Sequence, residues 1–351
     1  MCGVVGLFVG CSAVVTCPRD SLLRTDTASQ PLEEGEGEAG AQAYRSPFTT
    51  WFERSAVRRT PRRILDDVGP GELFPAELVP IAGHPLVREL PPGEFAQVLT
   101  QHAYRYLDFT AKLEHLVVNR TALGIAHGTI GVRVHEDMRF DAYKIYCDEA
   151  YHALFCADLI RQIERTTGVR PRLDRHPYLL RRLAEIRERV GPRLAPLVEI
   201  MFVICSETLI SATLAESSAD TRIAPAIRES IRDHALDEGR HHAYFVAFLR
   251  VMWGQLDPTL REQAVALVPE LIMTFIRPDL PGLRDELLGY GLTPDQVEQV
   301  LAETYPDHVV SAYARETAAQ TVRYFTELGA MDSERIRAEF LRHDLLKEVL
   351  V

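Results

Sequence analysis

The chain has 351 residues, with 39 Lys+Arg against 50 Asp+Glu and a formal net charge of −11, and it is 46% hydrophobic and 25% charged. That composition belongs to a globular chain able to bury a sizeable core, which excludes global disorder. An acid excess without any basic run argues against nucleic acid or an anionic membrane as the main partner, because both need clustered Lys/Arg. In chain order, the opening MCGVVGLFVGCSAVVTC is apolar but has no Lys or Arg ahead of it and no small-residue cleavage site, so a secretory signal is not expected. No stretch reaches the roughly 18–20 uninterrupted apolar residues of a membrane span, and no membrane insertion is expected. The cysteines Cys2, Cys11, Cys17, Cys147, Cys156 and Cys205 form no CxxC pair, and the last three lie in apolar helical patterns that predict buried free thiols in a reducing cytoplasm.

Residues 1–45 read as a flexible segment, rich in Glu, Gly, Ser, Thr and Ala around PLEEGEGEAGAQA. Residues 46–351 read as one domain. Its start, from Phe48 to Pro80, consists of Arg-rich pieces interrupted by Pro and Gly that suit an extended arm laid over a core. Beyond Pro92, apolar residues recur at spacings of three and four, divided by Gly/Pro/Asp signals. They predict helices of roughly 93–126, 137–167, 193–216 and 222–253, with shorter ones to the C-terminus. No alternation of period two is long enough for a sheet, and no solenoid period is present. The predicted fold is all-α.

Polar residues that interrupt the apolar face of a helix are the informative ones, because a buried charge costs several kcal/mol unless it is paired or coordinated. On the second long helix the face through Ile145, Cys156 and Leu159 is broken by Glu149 and His152, three apart and therefore neighbours. On the fourth, the face through Ile231, Phe245 and Phe248 is broken by His234, Glu238 and His241. The first and third helices each carry one acid in an apolar face, Glu114 and Glu207. The four helices thus read E, ExxH, E, HxxxExxH, the ligand set of a carboxylate-bridged two-metal site in a four-helix bundle. Four carboxylates carry −4 and two divalent cations +4, so such a site is close to neutral. Mixed O/N ligation suits iron or manganese and not a tetrahedral thiolate zinc site.

A lone ExxH on a helix is usually a solvated or salt-bridged face, and a lone His234 would be a hydrogen-bonded core histidine. Two DExxH motifs, DEAYH at 148–152 and DEGRH at 237–241, each preceded in the chain by a helix with an isolated core Glu, are not accounted for in that way. His242 also follows Glu238 at helical spacing, but the parallel with His152 selects His241. Each His has an Asp four residues earlier on the same helical face, so Asp148 is expected to accept the free ring N–H of His152, and Asp237 that of His241.

These residues resemble the diiron N-oxygenases of the AurF type, which act on p-aminobenzoate and, in chloramphenicol biosynthesis, on a related arylamine. The likeness runs from about Trp51 onward and includes VPIAGHPL ahead of the first bundle helix and the histidine that extends ExxH to HxxxExxH. It implies a ferritin-like four-helix core with additional C-terminal helices and an N-terminal arm. It implies iron ligation by Glu114, Glu149, His152, Glu207, His234, Glu238 and His241, with two oxo- or peroxo-bridged irons and O2 as cosubstrate. It further implies stepwise conversion of an aromatic amine to hydroxylamine, nitroso or nitro products in natural-product (antibiotic) biosynthesis, in a homodimer. No GxGxxG or other flavin or nicotinamide pattern is present, so electrons are expected from an external donor such as a ferredoxin and its reductase.

Tyr106 and Thr110 on the first helix and Ser211 on the third lie within about two turns of ligands and are candidates for the substrate pocket, with core packing the equal alternative. In YLDFTAKLE, Phe109 stands where a carboxylated arylamine would call for an arginine near the first glutamate, which argues against a simple aminobenzoate. Three other readings exist. A diiron C–H hydroxylase would use the same ligands with a different pocket, and an iron-storing bundle would need them alone. MCGVVGLF resembles the start of class II glutamine amidotransferases, with Cys2 as nucleophile, but the acidic segment that follows is not the strand-rich domain such an enzyme needs.

Overall fold

A computed structural model describes residues 44–66 and 68–347, apart from the side chains of residues 211–213 and 215–217. The acidic segment and the MCGVVGLF start lie outside the described residues, with Cys2, Cys11 and Cys17. No β-strand occurs among the described residues, so the all-α expectation is met. An arm of short pieces comes first: α1 (Trp51–Arg54), α2 (Ala56–Arg59), two 3-10 turns at Ala76–Leu78 and Pro80–Gly83, and α3 (Pro85–Arg88). It packs over the long helices through Phe48, Trp51, Leu73 and Ile81, all buried.

The expected first helix is one continuous rod of three parts. Helix α4 (Pro92–Leu113) passes into a single π-helical turn, Glu114–Val118, and then into α5 (Asn119–His127). Gly128 stops the rod at φ +67°, a left-handed conformation that glycine adopts without steric cost. Helix α6 (Glu136–Thr167) is capped by the His135 ring, which accepts from the Asp137 amide, and carries Glu136 and Asp137 in its first turn, where the helix dipole favours acids. A shorter helix, α7 (Tyr178–Val190), was not expected from the pattern; α8 (Ala195–Ala219) and α9 (Pro225–Gln255) follow. The last starts at Pro225 rather than 222, because proline fits the first helical position, where its missing N–H costs nothing.

The four long elements close a ring: α4 and α5 lie along α6, α6 meets α9, α9 lies along α8, and α8 returns to α5. This arrangement fits a ferritin-like bundle. Residues 200–210 of α8 are all buried, whatever face they lie on. A helix apolar all round must be surrounded, and α7 with α10 (Pro258–Val265), α11 (Val268–Ile276), α14 (Asp307–Thr317) and α15 (Ala319–Glu327) covers its outer side. Thr208 on α8 meets Thr321 on α15 at 2.8 Å between hydroxyls, a buried polar contact in that seam. Helices α12 (Leu280–Gly289), α13 (Pro294–Thr304) and α16 (Glu334–Arg342) complete the C-terminal layer. Among the described residues, no helix is long and apolar enough to cross a membrane. Cys156 and Cys205 are buried as expected, but Cys147 is exposed, because it lies on the α6 face that turns away from the core.

The loop after α6 is tied to α4 by buried side chains. Gln101 donates to the Arg170 carbonyl at 2.7 Å and accepts from the Arg172 amide at 2.9 Å, while the Tyr104 hydroxyl donates to the Val169 carbonyl at 2.6 Å. Replacing Gln101 with Leu leaves two backbone groups without partners. At about 1 kcal/mol or more each, Gln101→Leu is expected to lower the unfolding free energy by about 2 kcal/mol in urea with an unchanged m-value, and a loss below about 0.5 kcal/mol would contradict this tie.

Candidate metal centre

The seven residues selected from the sequence converge between α4–α5, α6, α8 and α9. Glu114, Glu149, His152, Glu207, Glu238 and His241 are wholly buried, and His234 is 2% exposed. Helix spacing brings Glu149 and His152 to one face of α6, and His234, Glu238 and His241 to one face of α9. The π turn sets Glu114 at the point where the rod bulges, a feature that recurs at functional sites.

Two overlapping groups form. In the first, one ligand atom each from Glu149, His152, His234 and Glu238 all lie within 4.8 Å of one another; in the second, so do atoms from Glu149, Glu207, Glu238 and His241. Glu149 and Glu238 belong to both. Glu114 borders the first group, its Oε1 3.5 Å from His234 Nε2. The histidines turn inward by different atoms: Nδ1 of His152 is 2.9 Å from Glu149, Nδ1 of His241 is 2.8 Å from Glu149 and 3.2 Å from Glu238, and Nε2 of His234 is 3.0 Å from Glu238. His242 turns the other way, its Nε2 2.8 Å from the Tyr324 hydroxyl, so it stays outside the cluster.

The outer nitrogens are held by the two aspartates, but in a crossed pairing. His152 Nε2 lies 3.1 Å from Asp237 Oδ2 on α9, and His241 Nε2 lies 3.3 Å from Asp148 Oδ2 on α6. The pairing expected within each helix, Asp148 with His152 and Asp237 with His241, is therefore corrected. With Nδ1 turned to the cluster, Nε2 points away from its own helix and reaches the facing one. Each aspartate is then fixed by the arm: Trp51 Nε1–H donates to Asp148 at 2.8 Å, and the Ala56 amide donates to both oxygens of Asp237 at 3.2 and 3.1 Å. Arg240 adds an ion pair to Asp237. Trp51, Ala56 and Arg240 were not selected from the sequence. Trp51 stands 97 positions from Asp148 and Ala56 stands 181 from Asp237, so no local pattern marks them.

The cluster fits cations. Both oxygens of Glu114, both of Glu207 and one of Glu238 have no hydrogen-bond partner, an arrangement that costs several kcal/mol in a sealed interior unless a cation or a proton is supplied. Burial, and then the neighbouring Glu149 and Glu238, push Glu114 well above the usual carboxylate range; burial, with Glu238 and Glu149, does the same to Glu207. Burial alone would raise Glu149 and Glu238 as well, yet His241 and His152 hold Glu149 well below its usual range, and His241 and His234 bring Glu238 to about 2. Against their own burial, Asp237 and Glu149 raise His152 to about 10, and Glu149, Glu238 and Asp148 raise His241 well above its ordinary value. Burial and the charge on His152 push His234 down. Without cations, two carboxylates thus face two imidazolium rings and two carboxyls keep their protons, which leaves the seven groups near neutrality.

The remaining candidates sit outside the cluster. Tyr106 is half-buried, its ring 5.9 Å from Phe74, and burial raises its hydroxyl, with Cys156 and Glu114 adding to the shift. Thr110 is buried one turn before Glu114. The side chain of Ser211 lies outside the described residues. Phe109 packs edge-on against Phe275 of α11 at 5.6 Å, and Arg105, one turn earlier, is committed to Glu286. A cavity of about 250 Å³ lies between α6, α9 and residues 60–63, lined by Tyr151, Leu154, Phe155, Leu159 and Ser230 among others. Phe155 separates it from the rings of His152 and His234, 5.6 and 6.2 Å away.

Metal ligation requires neutral imidazole and ionised carboxylate. Loading the metal-free cluster must therefore displace protons from Glu114, Glu207, His152 and His241. Calorimetric titration with ferrous or manganous ion in two buffers of different ionisation enthalpy is expected to show on the order of four protons released per chain, with affinity falling as pH falls. Release of no protons would contradict the assignment. Asp237→Asn, which weakens the acceptor behind His152, is expected to reduce metal affinity by about 10–100-fold.

A family model described as "P-aminobenzoate N-oxygenase AurF" matches residues 51–329. A 4-aminobenzoate N-oxygenase of Streptomyces thioluteus is 26% identical over 279 residues, which cover 77% of this chain and 82% of that protein.

Proposed function

The chain belongs to the AurF family of p-aminobenzoate N-oxygenases, and from that premise we propose that it is a two-iron oxygenase that uses O2 to oxygenate the nitrogen of an aromatic amine in natural-product biosynthesis. The observation that carries this reading is the sealed group of four glutamates and three histidines, in which Glu149 and Glu238 belong to both halves. Glu114, His152 and His234 would hold one iron and Glu207 and His241 the other, with Glu149 and Glu238 shared between them. Irons so held would supply the binding and reduction of O2. In net terms one N-hydroxylation consumes the amine, one O2, two electrons and two protons, and yields the hydroxylamine and water.

The chain's own residues provide the conditions for this. Asp237 and Asp148 fix the ring orientation of His152 and His241, so that Nδ1 rather than Nε2 is presented inward. Phe48, stacked on His241, and Val203 and Phe245, one helical turn from Glu207 and His241, are buried and help to exclude water, which would protect a reactive oxidant from quenching. An arylamine suits such a site because it is weakly basic and brings a free lone pair at neutral pH, so no residue has to remove a proton first. With Phe109 packed on Phe275, Arg105 committed to Glu286 and Lys112 to Asp108 at 2.7 Å, the cations of that stretch are engaged away from Glu114. We therefore assign an arylamine other than a simple aminobenzoate.

Iron-supplemented expression is expected to give close to two irons per chain, and chemical reduction followed by O2 and a panel of arylamines should give hydroxylamine, nitroso or nitro products by mass. Carbon-hydroxylated products would favour a C–H hydroxylase with the same ligands. Glu238→Ala removes a shared carboxylate and is expected to abolish the diiron absorption bands and all turnover; bands of wild-type intensity would contradict the site.

A further inference from the structure

We propose that Trp51 is the electron relay into this centre, and that an acidic one-electron carrier of the iron–sulfur class docks on the arm over Phe52. The proposal rests on reading the cluster as a two-iron centre. Every ligand is at most 2% exposed, so a carrier cannot touch the irons and its electron must cross protein. A hydrogen-bonded route leads outward through an aromatic ring. His241, whose Nδ1 faces Glu149 and Glu238, turns Nε2 to Asp148 at 3.3 Å, and Asp148 accepts from the Trp51 indole at 2.8 Å. The indole, 7% exposed, stands edge-on to Phe52 at 5.1 Å between centroids, and Phe52 is 52% exposed. A second aromatic joins the same ligand, since Phe48 stacks on His241 at 5.9 Å. The equivalent path on the other side lacks this feature. Behind His152, Asp237 meets a backbone amide and Arg240 rather than an aromatic ring through which an electron could tunnel, and the rings of Phe155 and Tyr151 follow His152 by contact alone, at 5.6 and 5.7 Å.

The surface at the outer end fits an acidic partner. Phe52 and Phe140, both half exposed, cover the buried Lys144 ammonium, which is neutralised by Asp141 at 2.8 Å, so the two rings supply the apolar centre and the basic rim comes from the arm. Arg54, Arg58 and Arg59 are exposed around them and form no ion pair among the described residues, with Arg58 6.0 Å over Phe52. Arg62 and Arg63 further along are neutralised by Asp158, Glu229 and Asp233. Glu53 is the single acid of residues 51–59. An apolar centre with a basic rim on a chain of net charge −11 selects a carrier of the opposite sign by steering and charge complementarity. In each encounter the reduced carrier loses one electron and one ferric ion of the centre becomes ferrous; two encounters prepare the centre for one O2, and no covalent bond in the carrier changes.

The test uses the iron-loaded full chain under anaerobic conditions, with a reduced plant-type [2Fe–2S] ferredoxin as the probe and dithionite with methyl viologen as the chemical control. Trp51→Phe keeps the ring contact to Phe52 and removes the N–H donor. It is expected to weaken iron binding by up to the roughly 10–100-fold given for Asp237→Asn, and, once reloaded to two irons per chain, to be reduced by the chemical control at the wild-type rate while bleaching of the ferric bands by ferredoxin slows at least tenfold. The surface variant Arg58→Glu/Arg59→Glu is expected to weaken ferredoxin binding at least tenfold by calorimetry, in the metal-free as in the loaded chain, with the wild-type advantage shrinking as salt rises. Wild-type ferredoxin rates in iron-reloaded Trp51→Phe, or chemical reduction slowed as much as reduction by ferredoxin, would overturn the relay. Unchanged binding by the charge-reversed variant, or a change in its oligomeric state showing that a second copy of the chain covers Phe52, would overturn the docking surface. Failure of the chemically reduced wild type to oxygenate any arylamine would sink the enzymatic reading alone, since the relay test reads iron reduction and not product.

Discussion

Burying four carboxylates within a few ångströms of one another is the constraint on which the rest of this structure depends. Water cannot reach Glu114, Glu149, Glu207 or Glu238, and isolated buried charges of one sign are not tolerated. Neutrality is reached in either of two ways: with protons on two glutamates and on two histidines, or with two divalent cations. The two solutions occupy the same atoms, so metal uptake would be coupled to proton release. That exchange also explains why oxygens of Glu114 and Glu207 are left without donors while Glu149 and Glu238 pair with the histidines.

The constraint spreads outward by one layer. A histidine that presents Nδ1 inward must place its Nε2–H somewhere, and the facing helix supplies an aspartate in each case. Those aspartates are themselves buried, so they too need donors, and the arm provides them from Trp51 and Ala56. The arm is therefore part of the site and not a covering added to a finished core. Its loss would leave Asp148 and Asp237 short of partners, at a cost of about 1–3 kcal/mol for each uncompensated group, before any apolar contact is counted.

Much of this was legible in the sequence because helices repeat every 3.6 residues and a polar residue on an apolar stripe is conspicuous. Glu114, the pair Glu149 and His152, Glu207, and the triplet His234, Glu238 and His241 all come together as a helical face requires. What the periodicity could not carry is whatever depends on the neighbouring element. The crossed aspartate pairing depends on which helix faces which, and the i, i+4 spacing on each helix suggested the opposite. The π turn at Glu114–Val118 inserts one residue without changing the apolar pattern enough to be read. Cys147 sits in a pattern of apolar neighbours yet faces solvent, because α6 is longer than the core it covers and one of its faces stays open with Phe140 and Tyr143. Trp51 is separated from its partner by the rest of the arm, the whole α4–α5 rod and the first turns of α6.

The same logic sets what the family likeness adds. The match over residues 51–329 covers the arm as well as the ligand helices, which agrees with an arm that belongs to the site. The central claim, that the buried glutamates and histidines form one two-metal centre, is tested most directly by diffraction from iron-loaded crystals at the iron absorption edge. Two anomalous peaks are predicted, one beside Glu114, His152 and His234, the other beside Glu207 and His241, with Glu149 and Glu238 between them. A single peak, or peaks placed away from these residues, would contradict it.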